Sequence, residues 1–148
     1  NDAPTAITRL LDLGVPAHLL KVTLNGVMAQ RLVRTLCPHC VRKTSVDVAA
    51  WKALVQPWKA PPPAQFSEPA GCLECRGTGY LGRQGIYEIM LISDTLKPLI
   101  GEQCDISALR LQAMRKGMRT LRLSGTQKVG AGITSVAEVM RVAPDMGR

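Results

Sequence analysis

Apolar residues recur at two intervals along the chain, and the changes of interval mark its elements. Residues 1–14 carry Ile7, Leu10 and Leu11 on one face of a helix. Asp2 is placed to cap it, Pro4 falls in the first turn, where a missing amide is harmless, and Gly14 stops it. A second helix starts at Pro16 and carries Leu19, Leu20, Leu24, Val27 and Met28, too many apolar positions for a surface helix. Helices this apolar with no strand before them are expected to dock on something upstream of Asn1. Residues 30–36, Gln-Arg-Leu-Val-Arg-Thr-Leu, read as a β-strand. Farther on, Asp47 can cap a short helix with Val48, Trp51, Leu54 and Val55 on one side, and Pro57 and Pro61-Pro62-Pro63 return the chain as an extended segment.

The second half alternates less cleanly. Residues 84–91 form a strand with Ile86, Ile89 and Leu91 among polar neighbours. Ser93 or Asp94 caps a short helix through Ile100, limited by Pro98. Residues 105–118 make a basic amphipathic helix with Ile106, Leu109, Ala113 and Met114 apolar, and another short helix covers 119–129. The last helix begins at Ser135 with Glu138 three residues on, a capping box, and buries Val136, Val139 and Met140.

Composition narrows the picture. The 148 residues suffice for one domain or two or three small modules, and aromatics at 3% leave little for a base-stacking platform. The net charge of +8 fits solvated helix faces, an anionic membrane, nucleic acid or an acidic partner, and no run of five or six like charges forms a binding tail. Residues 1–30 lack a signal-peptide pattern, and no apolar stretch reaches the ~20 residues of a membrane helix. A reducing compartment is therefore expected, where paired cysteines point to metal more than to disulfides.

Such pairs are present. Cys37-Pro38-His39-Cys40 and Cys72-Leu73-Glu74-Cys75 are separated by Val41–Gly71. Two residues between cysteines let both thiolates reach one ion from a tight turn, and two such turns supply the four sulfurs of a closed structural zinc site. Gly77, Gly79 and Gly82 supply the positive φ angles a zinc knuckle needs. Four filled positions leave none open for water, so the expected zinc is not catalytic. Two disulfides, a redox pair, or His39 as a ligand are the alternatives, and Cys104 reads as a small half-buried side chain. The metal would close the Val41–Gly71 lobe at its base. The sequence holds no Gly-x4-Gly-Lys-Ser/Thr loop and no legible Ser/His/Asp grouping.

The stretches NDAPTAITRLLDLGV, AQRLVRTLCPHC, GCLECRGTGYLGRQGIYEI, GMRTL and GITSVAEVMRV closely resemble the C-terminal part of type II secretion ATPases, the general secretion pathway protein E family, with the pilus-assembly ATPases as near relatives. The resemblance runs from Asn1 to about Val142 and is weakest over 41–70. It implies an α+β, mostly helical chain: the C-terminal piece of a RecA-like P-loop ATPase domain. Residues 1–36 would end the ATPase core, 37–91 form a four-cysteine zinc module with its inserted lobe, and 92–148 a helical C-terminal subdomain. It implies a structural zinc on Cys37, Cys40, Cys72 and Cys75, with the ATP and magnesium sites upstream, so that no catalytic or nucleotide-binding residue falls here. The full-length proteins would be cytoplasmic hexamers at the inner membrane. They would hydrolyse ATP to power secretion or pseudopilus assembly and contact platform proteins and anionic lipid, without nucleic acid. One departure is Ala137, which leaves only Glu138 acidic near the start of the final helix. A nucleic-acid-binding zinc ribbon is the alternative. A chaperone-type zinc module fits less well, because Val41-Arg42-Lys43 after the first pair contains no glycine.

Overall fold

The computed structural model describes residues 2–144. It contains six α-helices and four strands in mixed order: α1 Ala3–Asp12, α2 Ala17–Thr23, β1 Gly26–Leu36, β2 Arg42–Thr44, α3 Val48–Val55, β3 Phe66–Glu68, β4 Tyr80–Leu91, α4 Ile106–Arg115, α5 Leu121–Gly130 and α6 Val136–Val142. β1 pairs with β4, and β2 with β3, in separate two-stranded sheets. The β1–β4 ribbon is antiparallel: Ile92 N–H donates to the Asn25 carbonyl beyond one end (2.9 Å), and Cys37 N–H to the Gly79 carbonyl beyond the other (2.9 Å). β1 begins at Gly26, so Val27 and Met28 belong to the strand and not to the preceding helix. The apolar surplus expected of that helix is largely the start of the strand.

Contacts group the chain into two compact units. One comprises residues up to Gln30 together with Tyr87–Thr120. Asp2 caps α1 by accepting from Thr5 N–H, and its carboxylate also takes the Arg110 guanidinium. Burial alone would raise the Asp2 pKa, but bonds from Thr5 and Arg110 hold it below the usual carboxylate range. α1 packs against α4, and Ala3, Ile7, Leu20, Met90, Leu96, Ile100 and Leu109 share one core. Ile7 of α1 is buried, and Leu10 and Leu11 pack half-buried on the same core, whereas Leu19 and Val22 of α2 are exposed.

The strand expected at 84–91 starts earlier, at Tyr80. Ile86, Glu88 and Met90 point inward, while Ile89 and Leu91 are exposed. The cause is Glu88, whose carboxylate accepts the Ala3 N–H at the start of α1 (2.8 Å), where free amides and the helix dipole favour an anion. Once Glu88 is inward, strand alternation puts Ile89 outward. The helix expected before Ile100 is only a 3-10 turn, Lys97–Leu99, as Pro98 allows.

The other unit comprises Arg31–Ile86 and the described residues from Leu121 onward. β2 and β3 form the stem of the inserted lobe, with Arg42 opposite Glu68 and Thr44 opposite Phe66, a pairing the proline-rich sequence did not suggest. Asp47 caps α3, which buries Trp51, Leu54 and Val55 but exposes Val48. Trp51 donates its indole N–H to the Ala60 carbonyl (2.9 Å), which anchors the proline segment. α3 packs on α5 and α6, and α5 meets α6 closely: a Cβ on Gly125 would lie 2.6 Å from Val139 Cγ1. Of the α6 residues expected inside, Val139 is buried, Val136 is half-buried and Met140 is exposed.

Candidate metal centre

The two Cys-x-x-Cys turns are built by neighbouring strand ends. β1 delivers Cys37, and the chain turns at once, with the Cys40 and Val41 amides donating to the Cys37 carbonyl (3.3 and 3.0 Å). The second turn precedes β4: Gly77 N–H donates to the Cys72 carbonyl (2.8 Å) and Thr78 N–H to the Cys75 carbonyl (3.2 Å). β2 follows the first turn and β3 precedes the second, so the stem of the lobe holds the two turns together.

The four sulfurs lie within 4.8 Å of one another. Cys37 Sγ is 3.8 Å from Cys72 Sγ, Cys40 Sγ is 3.8 Å from Cys75 Sγ, and Cys72 Sγ is 3.7 Å from Cys75 Sγ. A disulfide requires about 2.05 Å, and all five cysteines are unpaired. Four sulfurs each ~2.3 Å from a central zinc stand ~3.8 Å apart, the edge of a tetrahedron. The spacing therefore suits a single ion. Backbone amides point at the same sulfurs: Gly79 and Cys72 N–H at Cys75 Sγ (3.1 and 3.2 Å), and Gly71 N–H at Cys40 Sγ (3.3 Å). Such donors stabilise thiolate, the form that ligates metal.

The donors act unevenly. Burial would raise the Cys75 pKa, but the Cys72 and Gly79 amides outweigh it and bring the thiol down to about 6. Cys37 is pushed up to about 11, by burial first, with the Cys72 and Cys40 sulfurs adding to it against the His39 amide. Four thiols this close cannot all ionise without a cation among them, so metal uptake would release protons.

All four expected ligands thus meet at one point. His39, raised as an alternative ligand, is exposed on its turn and outside the group. Cys104 is half-buried beside the core of the other unit, as its sequence setting suggested, and burial raises its thiol pKa. Among the described residues no other cluster of three His, Cys, Asp or Glu groups is placed to hold an ion.

The sequence reading missed a charged cluster next to the centre. Glu138 is 1% exposed and binds two arginines. Arg34 donates its backbone N–H (3.0 Å), Nε (3.1 Å) and Nη2 (2.8 Å), and Arg141 donates Nε (3.1 Å) and Nη2 (2.7 Å). The Arg34 guanidinium also lies 4.2 Å from the Tyr80 ring centroid. Ser135 caps α6 by accepting Glu138 N–H (3.1 Å), the expected half of a capping box, but the Glu138 carboxylate turns to the arginines instead. The sequence signal was Ser-x-x-Glu, and nothing local identified the distant Arg34.

A profile for the family described as "Type II/IV secretion system protein" matches residues 1–141. The type IV pilus assembly ATPase TfpB of Acinetobacter baylyi is 46% identical over 97% of this chain, which covers 25% of that protein. The type IV pilus assembly ATPase PilB of Myxococcus xanthus is 40% identical over 98% of the chain and 26% of its own length. The type II secretion system ATPase E of Vibrio cholerae is 39% identical over 98% of the chain and 28% of its own length. The chain spans about a quarter of the length of these relatives.

Proposed function

We propose, starting from the fact that this chain belongs to the type II/IV secretion system protein family, that it is the metal-stapled C-terminal part of a cytoplasmic ATPase that powers protein secretion or pilus assembly. The observation that carries the metal reading is the group of four sulfurs 3.7–3.8 Å apart along three measured edges. Cys37, Cys40, Cys72 and Cys75 would hold one zinc ion. The ion would neutralise the thiolates and cross-link the base of the Val41–Gly71 lobe, without taking part in chemistry.

The sequence has no Gly-x4-Gly-Lys-Ser/Thr loop, so ATP and magnesium would be bound by residues outside these 148. The named relatives are ATPases, and they are about four times as long. One structural feature supports reading the β1–β4 ribbon as packed against a further part of a longer, RecA-like ATPase. Met28, Ile89 and Leu91, all within one of the two units, are exposed on it. A ribbon of two strands is marginal on its own, and an apolar row of this size calls for a cover. In the full protein the platform proteins of the inner membrane, anionic lipid and five further copies in a hexamer are the proposed partners. No helix among the described residues is long and apolar enough to cross a membrane.

A chimera tests the reading. The matching stretch of the Acinetobacter baylyi pilus ATPase is replaced by this chain, and pilus assembly is scored. The chimera is expected to assemble pili, and the same chimera with Cys37 and Cys72 changed to serine is expected not to. A chimera that accumulates normally but assembles none, or a cysteine variant that assembles as well as its parent, contradicts the proposal.

A further inference from the structure

We propose that Tyr80 couples the four-cysteine centre to the seating of α6, so that bound metal and docked helix stabilise each other. This rests on the zinc reading above. Gly79 is fixed by both halves of the centre: its N–H points at Cys75 Sγ (3.1 Å), and its carbonyl accepts the Cys37 N–H (2.9 Å). It is buried at φ +79°, with no room for a side chain against Pro69. The centre therefore sets the direction in which the chain enters Tyr80.

Tyr80 then reaches α6 by two routes. Its hydroxyl lies 2.6 Å from Ser135 Oγ, the cap of the helix. Its ring lies under Arg34, which holds Glu138 of the same helix. α6 has only seven residues, too short to persist without such anchors. Without a cation nothing bridges Cys75 Sγ to the sulfurs of the first turn, and only the Gly79 carbonyl still ties Gly79 to Cys37. A separate tie, Leu36 N–H to the Ile133 carbonyl (2.8 Å), secures the segment before α6 and does not pass through Tyr80. Thr134 Oγ1 to the Arg34 carbonyl (2.7 Å) is another such tie, so Tyr80 is the link that runs through Gly79. Such coupling is reciprocal: whatever factor metal contributes to helix docking, docking contributes to metal affinity.

Hydrogen exchange of the 148-residue chain, zinc-loaded and after chelation, reads the first half of the cycle. Exchange in 136–142 should rise roughly tenfold or more on zinc removal, while 106–115 of α4, in the other unit, changes little. Zinc competition against a chromogenic chelator reads the second half. Tyr80→Phe, which keeps the ring, should weaken zinc binding by roughly three- to tenfold and shrink the exchange response of α6. Glu138→Gln, whose side chain touches no cysteine, should weaken zinc binding in the same direction, and it decides the matter if Tyr80→Phe does not fold. The coupling is overturned if α6 exchange ignores zinc, if α4 and α6 lose protection together, or if the folded variants bind zinc as the parent does. A parent chain that takes up no zinc in any arm overturns the metal reading itself, and the coupling with it.

Discussion

At Gly79 the backbone leaves no room for a side chain: a Cβ there would sit 2.3 Å from Pro69 Cβ, at a φ of +79°. Gly77 has nearly the same φ, +77°, but open space around it. The pair separates conformational strain from collision. Gly77→Ala should cost about 1 kcal/mol, the strain of a left-handed residue alone. Gly79→Ala should cost on the order of 3 kcal/mol and weaken metal binding, because Pro69 or the knuckle must move. Denaturant melts of the two zinc-loaded variants check the ordering. Glu138 supplies a second test at this scale. Burial would raise its pKa, but bonds from Arg141 and Arg34 bring it down to about 2, against an ordinary value of 4.5. A carboxylate depressed in the folded state stabilises above its unfolded pKa, and that stability is lost as pH falls from about 4.5 towards 2. Both arginines are partly solvent-screened, so Glu138→Gln should lose roughly 2 kcal/mol at neutral pH, less than the full shift implies. The gap between parent and variant melts should close as pH falls towards 2.

At the scale of elements, β4 carries the clearest contrast. Met90 is fully buried and Ile89 is 52% exposed, although hydrophobicity alone would rank them the other way. Met90→Ala should cost roughly 2–4 kcal/mol, and Ile89→Thr should stay within about 0.5 kcal/mol in the 148-residue chain, as thermal melts would register. The reason the strand's facing was hidden is physical. A buried glutamate reads as polar in the sequence, yet Glu88 goes inward because the start of α1, more than eighty residues away along the chain, offers it an N–H. Local signals served well where the determinant was local: Asp2, Asp47 and Ser135 all cap the helices they were read to cap. They failed where the determinant was a distant partner, as for Glu88, Arg34 with Glu138, and the β2–β3 stem.

For the whole molecule, the candidate centre was legible because ligand chemistry fixes both residue type and spacing. Cys37, Cys40, Cys72 and Cys75 could be named before any coordinates. What the spacing could not convey was how tightly the surroundings hold the site: a strand end on each side, a stem beneath it, and Tyr80 leading to α6. Cys72→Ser should therefore do more than remove one ligand. It should abolish stable zinc binding and lower the cooperativity of melting in the lobe around Trp51, whose fluorescence offers a direct probe. The most direct measurement of the central claim is the zinc content of the purified 148-residue chain, taken together with protection of its thiols from alkylation. The expected result is one zinc per chain, with Cys37, Cys40, Cys72 and Cys75 protected until a chelator is added. A folded chain that holds no metal, and whose four thiols react as readily as in denaturant, would contradict it.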